Sequence, residues 1–401
     1  MRVLPHGSAE SSNYRVIVKA RGGQNRQETL QPYTRKWEEN VMKTIDSVVI
    51  EREVVDPMGP VPDTNDGRAD KCDVRHNVPA IVFSTGGYTG NVYHEFNDGL
   101  IPLFLTAGAY KGEVVLLVLE YHSWWMTKYA EIISRISNHQ VIDMANDPRV
   151  HCFPELTVGL RIHDELSIDL GSETRVSMAD FQAMLHSAYL PRLQSRAAMS
   201  PVVAEMKELQ EEGTISSSSW PQPKLVIVSR KSPRAIVNQE EVASMARDLG
   251  FEVQILSPVP TTEMVDIYSA LHTCDVMMGV HGAAMTHLLF MRPGTTFIQV
   301  VPLGTDWAAA TYYGEPAMKL GLDYVQYNVS AFESSLSNVY PLHHPVLSNP
   351  NLVNAKGWSE TKRIYLEGQD LTLSLPKLRS TLLATRSRII AARSPPGSFV
   401  S

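Results

Sequence analysis

Residues 224–301 read KLVIVSRKSPRAIVNQEEVASMARDLGFEVQILSPVPTTEMVDIYSALHTCDVMMGVHGAAMTHLLFMRPGTTFIQVV. Apolar runs at 224–229, 251–256, 275–279 and 296–301 have strand length, and residues 238–249, 262–273 and 283–291 between them carry helical spacing. Asn238 and Glu241 stand in capping-box spacing, and Gly250 stands where a helix C-cap belongs. The four strands are apolar throughout rather than alternating. Such strands are buried on both faces, which predicts a parallel sheet wrapped by helices. The fold class expected is α/β, with ligands at the carboxyl ends of the strands.

Upstream lies GTISSSSWPQP, residues 213–223, whose Gly, Ser and Pro continue neither helix nor strand and predict a linker. Before it, residues 36–212 predict a second α/β domain. Its strands are expected at 48–55, 80–84, 114–121 and 139–143, with another near 150–153. Its helices are expected at 94–109, 123–137 and 177–190, the last opened by Ser177 and Asp180 in capping-box spacing. Residues 1–35 read as a polar, irregular tail. The second domain spans 224–345, and 346–401 form an extension with a basic helix near 371–393. That helix is expected either to pack across the first domain or to lie solvated on the surface. Two α/β domains joined by a linker imply a cleft between them.

Of the 401 residues, 43% are hydrophobic and 20% charged, which excludes a disordered chain or a disulfide miniprotein. Lys plus Arg is 36 against 43 Asp plus Glu, a net charge of −7, and this makes no case for a nucleic-acid partner. Three cysteines, Cys72, Cys152 and Cys274, allow one bridge with one left over, or three buried thiols. No apolar run approaches the roughly 20 residues a membrane helix needs, and the N-terminus has no signal-like apolar core.

Three motifs suit chemistry. In Gly279-Val-His-Gly-Ala-Ala-Met-Thr-His287 a strand runs through a glycine turn into a helix, whose free N–H groups favour an anion such as a diphosphate. His281 sits at the mouth of that turn; a capping histidine in a tight connection is the plainer alternative. In Ser229-Arg-Lys-Ser-Pro-Arg234, Arg230 and Arg234 follow a strand, where forked guanidiniums can hold phosphate oxygens, though basic loops are also commonly just solvated. In Gly86-Gly-Tyr-Thr-Gly-Asn-Val-Tyr-His-Glu-Phe-Asn-Asp98, a glycine turn precedes Asn91, His94, Glu95 and Asp98 at intervals expected to share one helix face. That stripe suits a general base or contacts to sugar hydroxyls, with a hydrated face as the alternative.

Several fingerprints are missing. No GxGxxG, GK[ST] loop or GxSxG elbow occurs, which speaks against a nicotinamide oxidoreductase, a P-loop enzyme or a serine hydrolase. Neither HExxH nor paired CxxC supports zinc. No Asp-x-Asp pair is present, so a metal-bound nucleotide diphosphate lacks that clamp, and arginines with a helix N-terminus would have to neutralise it.

These residues together resemble glycosyltransferase family 61. GVHGAAMTHLLF with Arg292-Pro-Gly-Thr resembles the nucleotide-side motif of that family, which includes the animal O-GlcNAc transferases for EGF domains and O-mannose. NVYHEFNDGLIPLF, residues 91–104, resembles its first-domain motif. STGGYTGNVYHEFNDGLIPLF, VLEYHSWWMTKY and VHCFPELTVGLRIHDEL are most similar to the grass members that decorate xylan. The resemblance runs over about residues 31–345. It implies a GT-B fold, two Rossmann-like domains facing across a cleft. It also implies inverting transfer of xylose or arabinofuranose from UDP-xylose or UDP-arabinofuranose to xylan or xylo-oligosaccharides, without an obligatory metal or cofactor. Arg230, Arg234, Gly282 and Ala283 would lie along the UDP diphosphate, and His281 and His287 would flank the donor. His94 and Asp98 would face the acceptor, one of them as base, with Glu95 a third candidate.

Family members are anchored in the Golgi membrane as type II proteins, with other Golgi glycosyltransferases as possible partners. This chain shows neither anchor nor stem, so a truncated sequence is expected, with residues 1–35 a remnant of the stem. Asn328-Val-Ser330 is a glycosylation sequon usable only in the secretory lumen. A second reading, of a different class, is a non-catalytic glycan-binding or organising subunit of a xylan-synthesising complex.

Overall fold

The computed structural model describes residues 1–4, 13–21, 24–55, 72–168, 176–198 and 222–393. The chain is mixed α/β with parallel sheets and divides into two compact units. The first comprises Met1–Asp164 and Ile168–Ala188, the second Glu165–Ser167 and Tyr189–Ser401. The division falls at residue 188, whereas composition placed it at 213–223; of that expected linker only residues 222 and 223 lie among those described.

The first unit holds β1 (Arg2–Leu4), β2 (Asn13–Arg21), β3 (Arg26–Leu30), β4 (Ser47–Val55), β5 (Val74–Arg75), β6 (Ala80–Ser84), β7 (Val115–Leu119), β8 (Ile142–Asp143), β9 (His151–Cys152) and β10 (Leu156–Val158). The order β10-β6-β7-β8 makes a four-stranded parallel sheet, and β3-β4-β2-β1-β9-β5 a six-stranded mixed one. One core cluster joins the two sheets, with Val3, Tyr14, Val16 and Val48 meeting Val82, Val115, Leu117 and Leu119. This corrects the reading of residues 1–35 as an irregular tail. Tyr14 and Val16 bury their side chains, and β1 finds backbone partners in β2 and in β9, about 150 residues away. The Met1 amino group donates to Phe153 O at 2.8 Å. A disulfide between Cys72 and Cys152 ties the segment before β5 to β9, and Cys274 is free and buried.

Helices cover the parallel sheet. Phe96, Trp125, Tyr129 and Phe181 are buried, with ring centroids 5.0–6.4 Å apart. The expected Ser177–Asp180 box is present: Ser177 N–H donates to Asp180 Oδ2 at 2.7 Å, and Asp180 N–H to Ser177 Oγ at 3.3 Å.

The second unit holds β11 (Lys224–Val228), β12 (Glu252–Leu256), β13 (Val276–Val280), β14 (Thr296–Val301) and β15 (Asp323–Asn328), all parallel, in the order β12-β11-β13-β14-β15. β13 and β14 are buried along their whole length, as two covered faces require. Gly250 closes the helix Gln239–Asp248 at φ 84°, a conformation that glycine adopts without strain. Asn238 does not cap that helix. Its amide is committed instead to the backbone of Leu373, donating from Nδ2 at 2.9 Å and accepting at Oδ1 at 2.9 Å.

That exchange also anchors the C-terminal segment, which belongs to the second unit's core. Leu371, Leu373, Leu378 and Leu382 pack against Val242, Ala246 and Ile236, and each fully buried leucine contributes roughly 1.5–3 kcal/mol. Three basic residues of Leu375–Arg393 bind acids of the same unit: Lys377 with Glu333, Arg388 with Asp323, Arg393 with Asp275. The expectation of a solvated helix, or of one packed on the first domain, gives way to this packing.

Candidate active site

In the second unit the strand order reverses between β11 and β13. Crevices at the carboxyl ends of such strands are where open α/β sheets take ligands. The loop after β11 carries Arg230 and Arg234; the turn after β13 carries His281 and Gly282. The structure therefore brings together two motifs some fifty residues apart.

Gly282 has φ 155° and ψ 174°, and a Cβ built there would lie 2.4 Å from Arg230 Nη1 and 3.6 Å from Arg234 Nη1. Both guanidiniums thus lie over a bare backbone. Arg234 holds a left-handed φ of 65°, a strained choice of the kind that collects at functional sites. Its Nη1 donates to His281 O at 2.9 Å. Among the described residues neither arginine has a carboxylate within 4.0 Å, and the Nε of each is buried without a hydrogen-bond partner. Asp370, whose charge acts on Arg230, already accepts from Ser232 Oγ at 2.9 Å and Ala235 N–H at 2.8 Å. Burial, followed by the neighbouring Arg230, pulls the Arg234 pKa down to about 10. Two half-buried cations with no carboxylate this close form an arrangement whose charge an anion can balance.

His281 is buried, and its Nδ1 meets Gln299 Nε2 at 2.9 Å; Tyr324 Oη in turn donates to Gln299 Oε1 at 2.8 Å. Tyr313 meets the His281 ring edge-on at 5.4 Å from the π turn Ala310–Gly314. Burial, then Arg234 and Arg230, lower the His281 pKa to about 3, so the ring is neutral. Residues 283–290 form a 3₁₀ helix rather than the α-helix expected, with Ala283 first; His287 is buried on it and stacks on Phe290 at 5.8 Å. Gln299, Tyr313 and Tyr324 escaped the sequence reading. The one signal was a glutamine inside the apolar strand TFIQVV.

In the first unit the glycine turn follows β6. Asn91 caps the next helix, accepting from Tyr93 N–H at 3.0 Å. His94 Nδ1 lies 2.6 Å from Asp98 Oδ2. Asp98 is 3% exposed and also receives Asn97 Nδ2 at 2.9 Å and Arg35 Nη1 at 3.4 Å. Tyr88 stacks on the His94 ring at 4.1 Å and donates from its hydroxyl to Glu38. The expected shared stripe is therefore broken. Residues 95–100 form a π turn, and Glu95 faces inward, accepting from Gly90 N–H at 2.7 Å and from Trp125 Nε1. Burial raises its pKa to about 7 against those two donors. Arg35, Glu38 and Tyr88 were also missed, Arg35 because it stands in the supposed tail. Glu120, at the carboxyl end of β7, accepts from Ser84 Oγ.

Comparison with known proteins adds the following. The family model described as Glycosyltransferase 61 matches residues 92–298, which include both glycine-turn motifs' helices and the arginine loop. A xylan glycosyltransferase of Arabidopsis thaliana is 44% identical over 366 residues, covering 91% of this chain and 71% of its own length. A β-1,2-xylosyltransferase of Oryza sativa subsp. japonica is 38% identical, covering 88% of this chain and 70% of its own. An α-1,3-arabinosyltransferase of the same organism is 34% identical, covering 88% and 57%. The chain thus spans between 57% and 71% of these relatives' lengths.

Proposed function

Because the chain belongs to glycosyltransferase family 61, we propose that it is an inverting transferase moving a pentose, xylose or arabinofuranose, from a UDP-sugar to a hydroxyl of xylan. The relatives' names supply the sugar and the acceptor polymer. The observation that carries the reading is the pair Arg230 and Arg234, half-buried over Gly282 without a carboxylate within 4.0 Å among the described residues. A diphosphate would supply that counter-charge.

In this reading His94 is the base. Its Nδ1–H is directed to Asp98, which leaves the Nε2 lone pair to take the acceptor's proton. Asp98 orients and supports the imidazolium, and Arg35 sets a positive charge beside that carboxylate. Glu95 is passed over because Gly90 N–H and Trp125 Nε1 already hold its oxygens. The acceptor oxygen bonds to the anomeric carbon as the bond to UDP breaks, and the electron pair leaves on the β-phosphate. Arg230 and Arg234 meet that growing charge in place, so no reorganisation is needed as it forms. No metal is obligatory here, since the guanidiniums supply the positive charge. His287 and Ala283 stay in the proposal as donor-side residues.

The finer fold class, GT-B with donor and acceptor on separate Rossmann-like domains, belongs to the same proposal. Each unit's own parallel sheet, with a glycine turn at a strand's carboxyl end, supports it. The Golgi lumen as location belongs to the same proposal: the Cys72–Cys152 bridge suits an oxidising compartment, and Asn328 of the sequon is exposed. No helix among the described residues is long and apolar enough to cross a membrane.

The test is a donor screen with purified protein and xylo-oligosaccharides. UDP-xylose, UDP-arabinofuranose and UDP-N-acetylglucosamine are compared, with and without EDTA, by UDP release and product mass. A pentose-sized gain that survives EDTA is expected. Strict manganese dependence would remove the metal-free part. Absence of both transfer and UDP binding would return the chain to the non-catalytic reading.

A further inference from the structure

Gln299 stands inside β14 with 0% of its surface exposed, a primary amide among apolar neighbours. Leaving such an amide unpaired costs its desolvation, so its two ends must be matched. Tyr324 Oη meets Oε1 at 2.8 Å and His281 Nδ1 meets Nε2 at 2.9 Å. Donor accounting sets the direction. The phenol has one proton, and Gln299 Oε1 is the acceptor it reaches. With its oxygen engaged, the amide turns its nitrogen to His281, and an amide nitrogen only donates. Nδ1 is then the bare nitrogen, and the ring proton resides on Nε2. Nε2 makes no hydrogen bond among the described residues, while the backbone of the same histidine is bound by Arg234.

We propose that Tyr324 and Gln299 are positioning residues that lock His281 as a neutral Nε2–H donor serving the anion held by Arg230 and Arg234. The proposal rests on the donor-site reading given above and adds to it how the third donor is made. A third cation here would be repelled by two guanidiniums. A neutral N–H adds a hydrogen bond without that repulsion, and its direction is set before the ligand arrives. The low pKa of His281, caused first by burial and then by the two arginines, is consistent with the same state. The relay also accounts for the buried glutamine, which the packing of an apolar strand does not call for.

The experiment combines ¹⁵N-histidine spectra of the full chain with calorimetry of UDP binding. His281→Asn identifies the His281 signals by their loss. The wild-type spectrum should show a protonated Nε2 and a bare Nδ1. Gln299→Glu replaces the donor by a carboxylate that only accepts, so the proton should move to Nδ1. UDP affinity should then fall roughly tenfold, the worth of one hydrogen bond to a charged group. Tyr324→Phe frees the amide to rotate, and should give mixed tautomers with a smaller loss. Because the wild-type tautomer is read with only His281→Asn as the assignment control, the lock is tested even where Gln299→Glu fails to fold.

A wild-type His281 protonated at Nδ1 would overturn the proposal. So would a Gln299→Glu protein whose tautomer changes while its UDP affinity does not. A wild-type protein that shows the Nε2–H signature without binding UDP would support the lock and sink the donor-site reading instead.

Discussion

Replacing Gly282 by alanine tests the proposed donor site through its geometry rather than by deleting a charge. The new Cβ would sit 2.4 Å from Arg230 Nη1, closer than real Cβ atoms approach any atom. The obstructing atom is the end of a flexible side chain, so the guanidinium yields, by roughly 1 Å to regain an ordinary contact. Such a shift forfeits most of a charge-assisted hydrogen bond, about 1.5–3 kcal/mol, or ten- to hundredfold in affinity. Separately, the backbone at φ 155° and ψ 174° lies where non-glycine residues are strained by about 1–3 kcal/mol. The two effects separate in a double-mutant cycle of Gly282→Ala and Arg230→Ala, read by UDP calorimetry and thermal melting. If alanine acts by displacing Arg230, its affinity cost vanishes once Arg230 is already gone, while the loss of stability persists in both backgrounds. Additive affinity losses, or a Gly282→Ala protein that binds UDP like wild type, would refute the reasoning.

His94→Ala should lower kcat by roughly 10²–10⁴ with UDP affinity unchanged, and Asp98→Asn should do likewise through the lost orienter; a parallel loss of UDP binding would argue against a base on the acceptor side. Glu95, with a pKa raised to about 7 against 4.5 when unfolded, should make wild-type stability fall as pH rises from about 4.5 to 7, because the unfolded chain sheds that proton first. The penalty above pH 7 is roughly 3 kcal/mol, and Glu95→Gln should remove the slope in melting temperature between pH 5 and 8; an unchanged slope would exclude the buried acid as its source. Reducing the Cys72–Cys152 bridge, which spans 80 residues, should cost about 4 kcal/mol, read as a lower melting temperature in reductant; equal melting would show that the first unit does not depend on it.

The second unit's parallel sheet was legible in residues 224–301 because strands covered on both faces are predominantly apolar, and β11, β13 and β14 are so, with Gln299 the polar exception inside β14. Arg230, Arg234, His281 and Gly282 were legible as two motifs because glycine turns and basic loops after strands stand out locally. So was the His94–Asp98 pair, whose spacing of four sets them in contact. The inward turn of Glu95 to Trp125 was not legible, because a π turn leaves no mark in letter spacing.

Other features depend on partners far along the chain. β1 is three residues long and owes its place to β2 and β9. Arg35 reads as one more basic residue in a polar stretch until Asp98, 63 positions on, is set against it. Gln299 and Tyr324 are single polar letters in two strands until pairing in β14 and β15 lines them up behind His281. Local propensity and period are enough to place the elements, their apolar faces and the motifs at strand ends. They do not say that β11 and β13 adjoin where the strand order reverses, the neighbourhood that brings both arginines to Gly282. Strand order is settled by backbone pairing and core packing between distant segments, and no local pattern of residues encodes it.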